Sequence, residues 1–218
     1  MGRRGDDARS ALIEQAERLF AERGVEGVSL RDVSAAAGQR NHTAAQYHFG
    51  DRAGLVAAVY GARMDVVNSR RLTMLSLIDA TDRGDELADL VEAFVVPLVE
   101  VIDETGGWYG RFLARLRWDE FGTEVMTGLP SVVIAQRTAK RLQRCLGYLP
   151  VAVRHSRIDQ FVTMVIGTAA GWEWARHRGE RRLPFDLLVA ELISTGVSLL
   201  EAPLTPPRRA TARHAVAP

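Results

Sequence analysis

The stretch that decides the fold is residues 29–52, which read SLRDVSAAAGQRNHTAAQYHFGDR. Ser29 followed three residues later by Asp32 is typical of a helix start, because each side chain can accept a hydrogen bond from the other residue's backbone N–H. Gly38 ends this short helix, and residues 39–41 are expected to make a tight turn into a helix that runs to about His48. The stretch therefore predicts two short helices joined by a glycine turn.

Helical spacing of apolar residues continues on both sides of this stretch, and no segment shows the alternation of a strand. The sequence therefore predicts an all-α protein. An N-terminal three-helix helix-turn-helix domain is expected over 1–50, a larger helical domain over 51–201, and a disordered tail over 202–218. The expected helices outside the opening stretch are 8–23, 51–79, 85–103 (kinked or split at Pro97), 107–121, 130–146, 152–177 and 184–201.

The composition is that of an ordinary globular protein. Of the 218 residues, 47% are hydrophobic and 25% are charged, and no apolar run approaches the roughly 18 residues of a membrane-spanning helix. Cys145 is the single cysteine, so an intramolecular disulfide is excluded. The first residues lack the apolar core of a signal peptide. We therefore expect a cytoplasmic protein with no membrane partner.

The charged residues suit contacts with nucleic acid, although the N-terminal domain is not basic overall. Lys140 is the only lysine among 28 basic residues, and arginine can fork onto phosphate oxygens and guanine edges. Residues 1–52 nevertheless hold eight arginines and eight acids. We therefore expect modest affinity for DNA and a clear dependence on salt.

The predicted helix-turn-helix places polar side chains where they can reach double-stranded DNA. Ala44 and Ala45 are small enough to pack against the preceding helix, which leaves the polar residues at the groove-facing end of the second helix. Side chains with the donors and acceptors to read base edges are Gln39, Arg40, Asn41, His42, Thr43 and Gln46. Side chains better suited to phosphate oxygens are Ser29, Tyr47, His48 and Arg52.

Over roughly residues 9–60 the sequence resembles the DNA-binding domain of TetR-family transcriptional regulators. The similarity lies in the glycine-punctuated first helix, the serine that opens the second, and the run Tyr-His-Phe-Gly-Asp-Arg at 47–52. The segment from Gly38 to Phe49 is one residue longer than the common pattern, which shifts the base-contact assignments at 39–43 by about one position. The resemblance implies a homodimer that binds an operator and responds to a small molecule.

Aromatic and apolar residues cluster in the second domain, where the resemblance implies a ligand cavity between the middle helices. Such residues line apolar pockets, but each is also a candidate for the core. The candidate ligand-binding residues are Trp108, Tyr109, Phe112, Leu116, Phe121, Met126 and Trp172. Charged residues that could orient a polar ligand, or simply face solvent, are Arg111, Arg115, Asp119, Glu120 and Glu173.

The last two helices are the candidate dimer contact, by the same resemblance. Gly167 and Gly171 flank Ala170 and leave a flat surface for a neighbouring helix, while Leu188, Leu192 and Leu199 supply apolar area. The alternative is that these helices only close the core of one protomer. A two-fold dimer would set two recognition helices about one turn of DNA apart and would bind a palindrome.

The sequence offers little support for catalysis. His42 and His48 point to different sides of a helix, and no metal-ligand spacing, nucleophile elbow or phosphate-binding glycine loop is present. We therefore predict no cofactor, no metal site and no enzymatic activity. The preferred hypothesis is a ligand-responsive transcriptional regulator, most simply a repressor. Two alternatives are a helical protein-interaction module and an all-α enzyme that uses the carboxylates near Asp119.

Overall fold

A computed structural model describes residues 2–81 and 84–204, and within these ranges every regular element is helical. The all-α prediction is confirmed. The predicted tail, 202–218, lies outside the described residues from position 205 onward. The elements in chain order are α1 (Gly2–Arg23), α2 (Leu30–Ala36), α3 (Ala44–Phe49), α4 (Arg52–Asp79), α5 (Leu87–Thr105), α6 (Tyr109–Leu116), α7 (Glu120–Thr127), a 3₁₀ turn (Pro130–Val132), α8 (Val133–Cys145), α9 (Val151–His177) and α10 (Phe185–Glu201).

Helices α1 to α3 pack with the start of α4 into an N-terminal head. Ser34 in α2 joins two of these helices, because its buried hydroxyl accepts a hydrogen bond from the backbone N–H of Ala45 in α3 at 3.0 Å. The expected packing of Ala45 against α2 is therefore present. The core of the head consists mainly of Leu12, Ala16, Leu19, Phe20, Val25, Val28, Val33, Ala45, Leu55, Val56 and Val59.

A tight turn fixes α3 against α4. Gly50 has a φ of +78°, a conformation that favours glycine, and Asp51 then caps α4 by accepting from the N–H of Gly54 at 2.8 Å. A Cβ atom at Gly54 would lie 2.0 Å from the carbonyl oxygen of Phe49. Glycine at position 54 therefore permits the close approach of the end of α3 to the first turn of α4.

Helix α5 runs through Pro97 as one element, so of the two predicted outcomes, a kink or a split, the split is wrong. Proline has no N–H for the carbonyl of Ala93, one turn earlier. Arg71 of α4 supplies donors instead: its Nε bonds to the carbonyl of Ala93 at 3.2 Å and its Nη2 to that of Phe94 at 3.1 Å. A side chain from the neighbouring helix thus satisfies the backbone that the proline leaves open.

The single helix predicted over 107–121 is also wrong, because the chain turns between α6 and α7. Asp119 caps the new helix by accepting from the N–H of Gly122 at 2.7 Å. A Cβ at position 122 would lie 2.2 Å from Cδ1 of Leu116, so the glycine permits the close turn. Asp119, a residue considered for catalysis, is therefore a helix cap.

Helices α9 and α10 lie side by side and close the body of the protomer over α5 and α6. Gly196 allows the close approach of α10, because a Cβ there would lie 2.7 Å from the ring of Phe161 in α9. No helix within 2–81 or 84–204 is long and apolar enough to cross a bilayer.

Candidate DNA-binding surface and ligand cavity

Helix α3 presents a polar, exposed surface with an aromatic side chain on it. Tyr47 is 85% exposed, and its ring makes an edge contact with His48 at a centroid distance of 5.3 Å. Gln46 is exposed beside it, whereas Ala45 is fully buried. One side of α3 is thus seated on the head, and the other carries hydrogen-bonding side chains that face solvent.

Residues 39–43 form the turn before α3 rather than part of the helix. Asn41 organises this turn, since its Oδ1 accepts from both the N–H and the hydroxyl of Thr43, at 3.0 and 2.8 Å. Arg40 and His42 are exposed, and Gln39 is half-buried. The extra residue relative to the family pattern lies within a segment that contains this turn. The Asn41 amide nitrogen and the side chains of Arg40 and His42 are candidates for base contacts from the turn.

Ser29 caps α2 as the sequence predicted, and this occupies its hydroxyl. Its Oγ accepts from the N–H of Asp32 at 3.1 Å and donates to the carboxylate of Asp32 at 2.6 Å. The hydrogen bonds that the hydroxyl and the backbone N–H of Ser29 donate to this carboxylate lower the pKa of Asp32 below its usual value. The start of α2 therefore carries a carboxylate, so Ser29 is better placed to fix α2 than to bind a phosphate through its side chain.

Arg9 is a candidate that sequence reasoning missed. Its guanidinium lies over the ring of Phe49 at 5.4 Å, which brings a cation from α1 to the corner between α3 and α4. Arg52 begins α4 at the same corner. Nothing in the local sequence around Arg9 indicates this position, because it depends on how α1 crosses the other two helices.

A cavity of about 340 Å³ opens between α4, α5, α7, α8 and α9, near the lower end of the range typical of ligand sites. Its walls are largely apolar. Polar groups are few and include the side chains of Tyr60, Arg71 and Arg117. Apolar residues that line it include Met64, Phe94, Leu98, Leu113, Met126, Val132, Ala135, Ala139, Val162 and Ile166.

Of the seven residues predicted to bind ligand, only Met126 lines this cavity. Tyr109, Phe112 and Leu116 are fully buried, because α6 is wedged between α1 and α9 and its apolar side belongs to the core. Phe121 is half-buried at the start of α7. The alternative of a core role, which the sequence left open, therefore describes most of the cluster.

The two remaining predicted ligand residues, both tryptophans, also have partners within the protomer. Trp108 stacks on His177 with ring centroids 4.1 Å apart. Trp172 packs against Phe185, and its indole N–H donates to the carbonyl of Leu183 at 2.8 Å. These contacts join α9 to the segments before α6 and α10, and they lie outside the cavity.

Two buried carboxylates hold the beginning of α6. Glu173 of α9 is 1% exposed and accepts from the backbone N–H groups of Gly110 and Arg111, at 3.0 and 2.9 Å. Burial raises the pKa of Glu173 to about 7. Glu17 of α1 is also buried and accepts from the N–H of Trp108 at 2.9 Å. The start of α6 is thus bonded to both the head and the body.

Two arginines of α6 continue this connection. Arg111 lies between the rings of Trp108 and Trp174, at 4.9 and 3.9 Å. Arg115 bonds to the end of α1, with its Nε donating to the carbonyl of Ala21 at 2.7 Å. These charged residues are packed or bonded at the joint between head and body rather than arranged around a ligand.

The candidate dimer residues divide into two groups. Gly167 and Gly171 are exposed, and a Cβ at either would meet no atom of the protomer within 4 Å. Leu188 and Leu192 are buried within the protomer, together with Ala170. Leu199 is half-buried, whereas Leu187, which was not among the candidates, is exposed. The surface available to a partner is therefore a glycine-lined side of α9 beside α10.

Within the described ranges, no group of three or more histidine, cysteine, aspartate or glutamate side chains is arranged to hold a metal ion. Cys145 is half-buried, and burial raises the pKa of its thiol. The described structure thus offers polar chemistry at two places: the exposed side of the head and the cavity of the body.

The described structure joins a helix-turn-helix head with an exposed second helix to a helical body that contains a cavity. Residues 12–59 match the family described as bacterial regulatory proteins, tetR family. The resemblance predicted from the sequence is confirmed for the helix-turn-helix head, which carries the match to this family.

Solved structures show that the fold extends over most of the chain. A TetR-family regulator from Rhodococcus sp. has 16% identity and a TM-score of 0.55, with 88% of this chain and 98% of that chain covered. The TetR-family regulator PfmR from Thermus thermophilus has 15% identity and a TM-score of 0.54, with coverages of 87% and 96%. The fatty acid degradation regulator FadR from Bacillus halodurans has 12% identity and a TM-score of 0.56, with coverages of 89% and 99%. No curated protein sequence matches the chain significantly.

Proposed function

We propose that this chain represses transcription by binding a palindromic operator as a homodimer, and that a small, largely apolar molecule releases it from DNA. The observation that carries the proposal is the 85% exposure of Tyr47 on a helix whose opposite side is anchored by Ala45. A large aromatic residue held in solvent by a fixed helix suits contact with a partner molecule. Tyr47 lies within the residues that match the tetR family, which supports DNA as that partner.

The side chains around Tyr47 divide into two roles on DNA. Arg40, His42 and Gln46 are exposed and carry donors that match base edges in the major groove. Tyr47 and His48, with Arg52 and Arg9 at the corner of α3 and α4, suit the phosphates. Gln39, Asn41 and Thr43 shape the turn that delivers these groups, and Asn41 keeps its amide N–H groups for a base.

Dimerisation through α9 and α10 relates the heads of two protomers by a two-fold axis. The open space above Gly167 and Gly171 admits a helix from a second copy, and exposed Leu187 adds apolar area beside it. In such a dimer the two α3 helices would contact successive major grooves about 34–36 Å apart, which requires a palindromic site.

Helix α4 connects the cavity to the DNA-binding surface. Its first turn is in close contact with α3 through Gly54 and Phe49, and further along it lines the cavity with Tyr60, Met64 and Arg71. A ligand that favours a displaced α4 therefore displaces α3. By linkage, DNA must weaken ligand binding by the same factor as ligand weakens DNA binding.

The test is selection of bound sequences from a random duplex pool at two salt concentrations, with full-length dimer refolded to remove small molecules. Wild type should recover a palindrome, with affinity that falls as salt rises. Tyr148→Ala provides the matched control, since Tyr148 is also exposed but lies between α8 and α9. Tyr47→Ala should lose affinity and Tyr148→Ala should not. Failure of the wild-type dimer to enrich any sequence at low salt would overturn the proposal.

A further inference from the structure

Arg71 is a buried cation without a carboxylate partner at the wall of the cavity. Its side chain is 1% exposed, and it bonds to Asn68 Oδ1 at 3.1 Å and to the carbonyls of Ala93 and Phe94. These bonds use three of the five guanidinium N–H groups. None of the ion pairs among the described residues includes Arg71. Since a buried charge is costly unless it is paired, this site favours an anion.

The other polar groups of the cavity are consistent with a single negative charge. Arg117 also lines it, but this guanidinium is paired with Asp159 and bonded to the hydroxyl of Thr163 at 2.9 Å. Tyr60 also lines the cavity, and burial raises the pKa of its phenol to about 12, so the hydroxyl remains a donor. No carboxylate is among the lining residues. Arg71 is thus the lining cation that remains available to one anionic group.

The rest of the cavity is suited to hydrocarbon. Its apolar lining comes from six helices: Met64, Leu98 and Leu113 from α4, α5 and α6, and Met126, Ala139 and Ile166 from α7, α8 and α9. A volume of about 340 Å³ accommodates a compact apolar body but not an additional nucleotide-sized group. The cavity therefore combines one buried positive charge with apolar walls and a small volume.

We propose that the cavity binds an amphipathic monocarboxylate, with its carboxylate on Arg71 and its hydrocarbon part against the walls formed by α7, α8 and α9. This inference rests on the proposed function, because it names the chemical class of the molecule that would release the DNA. It makes a distinction that the fold alone does not: the ligand is recognised by its negative charge as well as by its apolar surface.

The first experiment compares ligands of one length and different charge by calorimetry on the full-length dimer: decanoate, decanol and decylamine. A charged hydrogen bond in a buried site favours decanoate over decanol by about tenfold or more, with decylamine the weakest. 5-Phenylpentanoate tests the same carboxylate on a different hydrocarbon body. Equal affinity for decanoate and decanol, or no binding of either carboxylate at millimolar concentration, would overturn the proposal.

Variants then locate the charge preference. Arg71→Gln should lower decanoate affinity about tenfold or more and leave decanol affinity unchanged. The matched control is Arg70→Gln, because Arg70 neighbours it on α4 but pairs outward with Glu100 and Glu104. Ala139→Phe fills the cavity without removing the cation, so it keeps the test valid if Arg71→Gln does not fold. It should abolish binding of both decanoate and decanol, and retained binding of both would place the site elsewhere.

Operator affinity measured with and without decanoate separates this inference from the proposed function. Decanoate that binds through Arg71 and leaves operator affinity unchanged would support the ligand site and overturn its role in release. An operator-binding protein that takes up none of the carboxylates would leave DNA recognition intact and overturn the ligand class.

Discussion

The Nε of Arg115 in α6 donates to the backbone carbonyl of Ala21 in α1 at 2.7 Å. A second bond from the same guanidinium reaches the carbonyl of Glu22 at 3.1 Å. Arg115 thus satisfies carbonyls that the last turn of α1 leaves unpaired. Because α6 is also bonded to α9 through Glu173, Arg115 completes a continuous set of hydrogen bonds between the body and the head.

Arg115→Gln is expected to weaken the coupling between ligand and DNA while both binding activities persist. Coupling of this kind is typically about 5- to 150-fold, and loss of one connection should reduce it several-fold. The measurement is operator affinity with and without saturating ligand. Arg18→Gln is the matched control, since Arg18 bonds only to Gln15 and Glu22 within α1. Equal coupling in Arg115→Gln and wild type would contradict this role.

Glu173 should make the stability of the protein depend on pH. Burial raises its pKa to about 7, above the value of 4.5 expected on unfolding, and Glu17 adds to the shift while Arg111 opposes it. Between about pH 4.5 and pH 7, Glu173 therefore keeps its proton in the folded chain and loses it in the unfolded chain. The stabilisation is fully present below about pH 4.5 and is lost as the pH rises through about 7.

Glu173→Gln removes this titration and keeps the shape of the side chain. Urea unfolding at pH 5 and pH 8 should show wild type losing up to about 3 kcal/mol relative to the variant. Glu17 from α1 and Arg111 from α6 also affect the pKa of this carboxylate. Both are kept in the variant, so the comparison changes only the titration of residue 173. A difference between the proteins that is constant across pH would place the proton elsewhere.

Tyr47→Ala and Arg40→Ala should affect DNA binding in different ways. Tyr47 suits the backbone, so its loss should weaken binding to all sequences by a similar factor. Arg40 suits a base edge, so its loss should cost about 1–3 kcal/mol at one position of the site and relax preference there. Affinities for the selected palindrome and its single-base variants distinguish the two. Loss of sequence preference from the tyrosine change alone would reverse these roles.

Two glycine substitutions should separate dimer contact from protomer packing. A Cβ at Gly167 meets no atom of its own protomer within 4 Å, so Gly167→Leu should leave the far-ultraviolet circular dichroism unchanged and raise the dimer dissociation constant. Ala62→Leu, at an exposed position of α4, controls for an added apolar side chain. Gly196→Ala meets the Phe161 ring and should instead lower the free energy of unfolding by about 1–3 kcal/mol. Sedimentation and urea unfolding measure the two effects.

Local sequence signals were sufficient for the head but not for the cavity. Three features of the head depend only on neighbouring residues: the Ser29–Asp32 cap, the glycine at 38 and the Gly50-Asp51 turn. They can therefore be predicted from the local sequence. The break between α6 and α7 depends on Leu116 packing against Gly122, which helical spacing does not reveal.

The ligand-site prediction relied on aromatic residues, and several of these belong to the core. Tyr109 and Phe112 are apolar at the spacing of one helix face, but periodicity does not say whether that face meets a cavity or another helix. No local sequence pattern indicates Arg71, because its role depends on Pro97 in a different helix. A buried arginine opposite a mid-helix proline is the signal that could have directed attention to α4 and α5.

The bonds of Arg71 have a consequence for how strongly the protein can respond to a ligand. The guanidinium that would receive an anion also donates to the open carbonyl in α5. Ligand binding and the geometry of α5 therefore depend on the same guanidinium group. A ligand that pulls the guanidinium away from Ala93 binds at the expense of α5, and one that leaves it in place binds without disturbing these bonds. Under the proposed function, ligand affinity and the extent of release from DNA therefore oppose each other at Arg71. The molecule that binds most tightly need not be the one that releases the most DNA.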